Sequence, residues 1–306
     1  MKKFISFICI VLIISAILPI MASCEKSPVE TDGKLKIVAT LFPVYDFAKA
    51  IAGDRANVTM LIPPGTETHS YDPTPKDIIN ISECDMFLYV GKNMETWIDK
   101  IISSIPETVK TVDASANIQL ISEDSSGHDE HFGLDPHVFT DPTLVIKMAE
   151  EIKAALIKLD PAGTEYYTER CKTFSSALTT LDNDFYMAIY GTSETICFGG
   201  RFSMRYFAKH YNLIVKCPYT SCGDETEPSP REITEVIDYM KENKVKYLFG
   251  EELSVSSVAL TIAEETETEI LPFYSCHNVS KDDFEAGVTY LDLMQKNLAN
   301  IKKALG

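Results

Sequence analysis

The sequence is poor in basic charge and in histidine: 28 Lys and Arg stand against 45 Asp and Glu, and the histidines number 6. A formal charge of −17 excludes ordinary nucleic-acid binding, which rests on neutralising phosphates with Lys and Arg. Such a surface suits the gathering of cations, although most of these carboxylates serve as solvated helix faces. There is no HExxH helix, no CxxC pair and no G-x-G-x-x-G loop, so the sequence signatures of zinc proteases, zinc ribbons and dinucleotide enzymes are missing. Beyond the first two dozen residues, no run approaches the roughly 20 apolar residues that span a bilayer.

The start of the chain is different in kind. Met1, Lys2 and Lys3 precede an apolar run from Phe4 to Ile20, then the small residues Ala22 and Ser23, then Cys24. This is the order of a secretory signal over residues 1–23, with Cys24 placed as the lipidated first residue of a mature lipoprotein. Residues 24–33 read as a polar tether to the outer face of the cell membrane. Removing residues 1–23 deletes two lysines and no acid, so −17 becomes −19.

Of the 8 cysteines, Cys9 leaves with the signal and Cys24 is spent on lipid. An exported chain permits disulfides. Cys217, Cys222 and Cys276 lie in loop-like sequence where pairing is feasible, whereas Cys84, Cys171 and Cys197 sit in apolar patterns and read as buried thiols.

Short β-rich runs alternate with helical patterns, which predicts α/β layers. Strands are expected at Lys36–Leu41, Val58–Ile62, Met86–Val90, Thr195–Phe198, Leu213–Val215, Tyr247–Phe249 and Ile270–Phe273. From about Glu165 to Ile189 there is no Gly or Pro, and Tyr167, Cys171, Phe174, Leu178, Leu181, Phe185 and Ala188 recur at helical spacing. A helix of roughly 25 residues spans about 38 Å, enough for a rigid strut between two lobes. The expected organisation is a first α/β lobe over 34–160, a linking helix over 161–190 and a second α/β lobe over 191–306, with parallel-rich sheets and a cleft between the lobes. Two loops echo each other across the halves: Asp72-Pro73-Thr74-Pro75-Lys76-Asp77 and Glu227-Pro228-Ser229-Pro230-Arg231-Glu232 each offer an N-cap, a Pro at the first helical position and an acid for a capping box.

His69 and His137 lie in proline-bounded loops, and His277 follows the strand expected at Ile270–Phe273. Three loop imidazoles, each near carboxylates, point jointly to a transition-metal site, because neutral imidazole suits zinc and its neighbours. His128 and His131 sit in the acidic segment 122–131 and form a candidate weak metal-capture loop, and His210 reads as a helix-surface residue.

Four motifs carry a resemblance: His69-x-Tyr71-Asp72-Pro73-Thr74-Pro75, Asp135-Pro136-His137-x-Phe139-x-Asp141-Pro142, the Glu-Pro-Ser-Pro loop at Glu227, and Thr289-Tyr290-Leu291 through Met294 and Asn297-Leu298. Together they resemble the solute-binding lipoproteins of bacterial zinc and manganese ABC transporters, over nearly the whole mature chain. The resemblance implies two α/β lobes joined by a long helix with the metal held between them, a membrane permease as partner, and no enzymatic activity. It implies His69 and His137 as ligands, and places His277 at or within a residue of the family's last ligand, usually an aspartate. The family's third ligand, His or Glu five residues before the Tyr206-Phe207-Ala208 run, is replaced here by Arg201. Arginine stays protonated and offers only donors, so either another group coordinates or Arg201 orients an acidic ligand. Glu251 or Glu225 is the favoured fourth ligand, with Glu227, Glu252 and the thiols of Cys222 and Cys276 as other options, and Arg201 and Glu67 stand behind the ligands. Three imidazoles and one carboxylate suit tetrahedral zinc better than manganese, which stays possible. A monomer is expected. Two other readings are a zinc-dependent hydrolase, with Glu67 as a general base, and a surface adhesin.

Overall fold

The computed structural model describes residues 33–68, 70–122, 133–219 and 227–306. His69, His128, His131, Cys222, Glu225, Cys24, and the signal and tether up to Asp32 lie outside the described residues.

Four parallel strands build the first sheet: β1 (Leu35–Ala39), β2 (Ala56–Met60), β3 (Met86–Tyr89) and β4 (Lys110–Asp113), in the order β2-β1-β3-β4. Parallel strands need crossovers, and helices α1 (Phe42–Ala52), α2 (Pro75–Ser82) and α3 (Ile98–Ile102) supply them. Every residue of β3 is buried, as a strand covered on both faces requires. β4 is absent from the expected strands. It lies at the sheet edge and buries only Val112 fully, so its Lys-Thr-Val-Asp run carries a weak apolar signal.

The second lobe holds β5 (Thr195–Cys197) paired with β6 (Ile214–Lys216), and β7 (Tyr247–Glu251) paired with β8 (Glu269–Phe273), both parallel. A parallel bridge from Phe198 to Phe249 joins the two pairs. Helices α6 (Arg205–His210), α7 (Pro230–Asn243) and α8 (Ser257–Thr266) make its crossovers, and α9 (Lys281–Glu285) follows β8.

Between the lobes run α4 (Pro142–Leu159) and the linking helix α5 (Thr164–Ile189), which is 26 residues long. The buried stripe of α5 is Tyr167, Cys171, Phe174, Leu178, Leu181, Phe185 and Ile189. Ile189 thus replaces Ala188 at the end, since the stripe closes on a step of four. The C-terminal helix α10 (Tyr290–Leu305) packs on α5, on β8 and on α1, so it ties the second lobe back to the first. Both anticipated capping boxes form, at Thr74 with Asp77 and at Ser229 with Glu232. No helix among the described residues is long and apolar enough to cross a membrane.

The cysteine expectations hold in part. Cys84, Cys171 and Cys197 are buried thiols, and burial pushes them up to about 11, 11 and 12. Cys276 departs from the expected loop cysteine: it is fully buried as a free thiol in the main core, so it neither pairs nor offers a thiolate.

Candidate metal centre

Ligands in open α/β folds bind at the carboxyl ends of the strands, where the loops after β2, β7 and β8 begin. The loop after β2 leads to His69, the turn before α4 carries His137, the end of β7 carries Glu251 and Glu252, and the loop after β8 carries His277.

His137 is 1% exposed and caps a short 3-10 turn, Val138–Thr140, that runs into α4. Its Nδ1 lies 2.7 Å from Asp135 Oδ1, and its main-chain N–H donates to the same oxygen at 2.8 Å. A carboxylate there holds the proton on Nδ1 and turns the lone pair of Nε2 outward, the arrangement that recurs behind metal-bound imidazoles. Asp135 is itself fixed: Arg205 Nε stands 3.9 Å from its Oδ2, and the Tyr206 hydroxyl donates to its main-chain oxygen at 2.6 Å. Tyr206 also accepts from Ile121 N at 3.0 Å, so α6 of the second lobe braces the His137 segment of the first.

The rings of His137 and His277 meet edge to face, with centroids 4.7 Å apart. Two imidazoles that each place a nitrogen about 2 Å from one tetrahedral ion have centroids about 5 Å apart, close to the separation of this pair. Phe139 lies against both rings, 6.0 and 5.7 Å away, and gives the pair an apolar wall. His277 follows Cys276, whose φ of 61° lies in the left-handed region that non-glycine residues seldom adopt. That turn redirects the chain as it leaves β8. Behind His277, Ser275 Oγ lies 3.4 Å from Nδ1 and donates to Glu252 Oε1 at 2.8 Å, while Ser275 N donates to the same oxygen at 3.1 Å. Burial raises the Glu252 carboxyl above its ordinary range. Glu252 thereby supports the Ser275 turn behind His277.

Glu251 closes β7 and is half-buried; burial raises its carboxyl, which the Arg201 main-chain N–H and charge partly offset. Arg201 N donates to Glu251 Oε1 at 3.2 Å. The Arg201 guanidinium lies 5.4 Å over the Tyr219 ring and 3.8 Å from Glu227 Oε1. Tyr219 in turn donates to Glu227 Oε2 at 3.1 Å, so Glu227 is engaged in this trio. Glu67 is close enough to Glu251 for its charge to raise that carboxyl.

Among the described residues, no three His, Cys, Asp or Glu side chains are assembled into one ligand set. The structure brings His137 against His277 and sets Glu251 beside Arg201. His210 lies exposed at the end of α6, as expected for a helix-surface residue, and is held there by two carboxylates. Its Nε2 lies 2.7 Å from Asp182 on α5, and its Nδ1 lies 3.7 Å from Asp141. The sequence reading missed Asp135, Ser275 and Tyr206 as supports. For Asp135 a signal existed, an acid two residues before a histidine in a tight proline turn.

The zinc-uptake complex component A, periplasmic, family matches residues 37–304. The high-affinity zinc uptake system protein ZnuA of Bacillus subtilis is 32% identical over 96% of this chain and 96% of its own length. The zinc-binding lipoprotein AdcA of Streptococcus pneumoniae is 31% identical over 90% of this chain, which spans only 56% of that longer protein. The Zn(II)-bound ZnuA-like domain of the same AdcA superposes with a TM-score of 0.75 at 30% identity, over 89% of this chain and 99% of that domain. By this match and by its two parallel α/β lobes on a long linking helix, the chain belongs to the zinc-uptake complex component A family.

Proposed function

We propose that this chain is the extracytoplasmic receptor of an ABC importer, which captures zinc between its lobes and delivers it to a membrane permease. The observation that carries the reading is the meeting of His137 with His277, with Asp135 holding the Nδ1 proton of His137. His69 supplies the third imidazole and Glu251 the carboxylate. Three nitrogens and one oxygen favour tetrahedral zinc over manganese. Of the two glutamates weighed for the fourth position, Glu251 is favoured because the Arg201 N–H aims it.

The zinc is cargo, so the site needs binding and release and no bond is made or broken. Glu67, weighed as the base of a hydrolase, adds in this reading a second negative charge near Glu251 that favours a cation, although in the empty site the same charge raises the Glu251 carboxyl. Lipid on Cys24 anchors a monomeric receptor to the outer face of the membrane, and His128 and His131 hold metal weakly on its way in. Elemental mass spectrometry of protein purified without added metal tests the proposal. One zinc per chain is expected; manganese in its place, or no transition metal after reloading with either ion, overturns it.

A further inference from the structure

A side chain of the second lobe bonds the loop of the first lobe that leads toward His69. Asn278, next to His277, is 6% exposed and reaches into the first lobe. Its Nδ2 donates to Thr66 O at 2.5 Å and stands 3.5 Å from Pro63 O. Its Oδ1 accepts from Gly65 N at 3.3 Å and from Val279 N at 2.7 Å. Gly65 N also donates to Val279 O at 2.9 Å. One amide thus engages three main-chain groups of the loop over residues 63–66, which leads directly to His69. Gly65 has a φ of 76°, a conformation L side chains rarely adopt.

The same loop is held at its other end from within its own lobe. Asn297 of α10 accepts from Tyr274 N at 2.7 Å and donates to Tyr274 O at 2.8 Å. His277 therefore sits on a short segment fixed to the second lobe at Tyr274 and to the first lobe at Asn278. A contact between loops that carry ligands acts mainly on how fast a bound ion leaves, because affinity differences within one interface lie mostly in the off-rate. Asn278 is such a contact, one residue from a proposed ligand and leading to another.

We infer that Asn278 is a positioning residue that ties the His277 loop to the loop leading to His69, and that this tie governs how slowly zinc leaves. The inference rests on the zinc-receptor reading and deepens it. Asn278 does not itself bind the ion, since its amide is engaged by the main chain of both loops. Its loss shows as faster release, with uptake almost unchanged, because the ligands themselves remain.

The test is stopped-flow zinc release from the full chain into excess chromophoric chelator, for wild type, Asn278→Ala, Asn278→Leu and His137→Ala, with zinc association measured in parallel. Leu keeps the branched shape of Asn and removes its hydrogen bonds. Release 10- to 100-fold faster in both the Ala and Leu variants, with association within about threefold of wild type, is expected for lost support behind a ligand. Wild-type release in both variants overturns the inference, as does wild-type release in Asn278→Leu alone, which makes Asn278 a space filler. Release from His137→Ala as slow as wild type overturns the receptor reading and the inference together.

Discussion

Asp135 Oδ1 receives both the ring Nδ1 and the main-chain N–H of His137, at 2.7 and 2.8 Å, so one buried oxygen sets the tautomer and the orientation of a proposed ligand. Because Asp135 sits two residues before the histidine it serves, the Asp-Pro-His run is a self-contained module: the proline fixes the turn and the carboxylate fixes the ring.

Replacing Asp135 with Ala is expected to weaken zinc binding 10- to 100-fold, since the ring loses the acceptor that keeps its proton on Nδ1. The variant also leaves a buried main-chain N–H without its acceptor, at a cost of about 1–3 kcal/mol in stability. Chelator competition reads the first effect and urea unfolding of the metal-free protein the second. Unchanged zinc affinity with lowered stability would make Asp135 a scaffold residue only.

Arg201 gives a sharper expectation than its position in the sequence allowed. The guanidinium is spent on Tyr219 and Glu227, and the bond to Glu251 comes from the main chain, which Arg201→Ala retains. What the variant removes is a positive charge that favours the ionised Glu251. Zinc affinity is expected to fall by about tenfold or less, with a smaller loss at high salt because exposed charges are screened. Tighter binding in the variant would instead show that the arginine repels the ion.

Much of the architecture was legible because it rests on local rules. The linking helix announces itself by an uninterrupted 3.6-residue stripe, and the helix starts at Pro75 and Pro230 by their capping boxes. His137 and His277 stood out because few histidines exist and these lie on loops. The supports were harder to see. Asn278 acts on residues more than 200 positions away in the chain, and an isolated asparagine in a loop reads as an ordinary turn former. Cys276 was misread for a related reason: the sequence around it is loop-like, but the packing of α10 on β8 closes a core over it.

Buried carboxyls predict the pH dependence of the metal-free protein. Glu95 is 2% exposed, accepts from Thr40 Oγ1 and from the N–H groups of Val90 and Gly91, and is pushed up from 4.5 to about 7 by burial. The folded state therefore holds this proton more tightly than the unfolded chain. The resulting stability is fully present below about pH 4.5 and is lost as pH rises through 7. Buried Asp46, raised to about 6, acts with the same sign. Glu95 contributes at most about 3 kcal/mol, since each tenfold gain in proton affinity on folding is worth about 1.4 kcal/mol. In urea unfolding of chelator-treated protein, wild-type stability minus that of Glu95→Gln is expected to fall between pH 5 and 7.5, and a constant difference would contradict the assignment.

Zinc should stabilise the folded chain without being required for folding, since one large buried core runs through both lobes and each lobe adds an apolar cluster of its own. At a thousandfold excess of free zinc over Kd, linkage gives about 4 kcal/mol. Scanning calorimetry should show a melting temperature that climbs with zinc concentration in wild type and stays flat in His137→Ala.

The most direct measurement is zinc titration against a competing chromophoric chelator for wild type, His137→Ala and His277→Ala, with circular dichroism of each metal-free protein as the fold control. The account predicts one tight zinc per chain in wild type and a loss of at least about a hundredfold in each variant, with helix content unchanged. Wild-type affinity in both folded variants would contradict it, because the zinc would then be bound somewhere other than between His137 and His277.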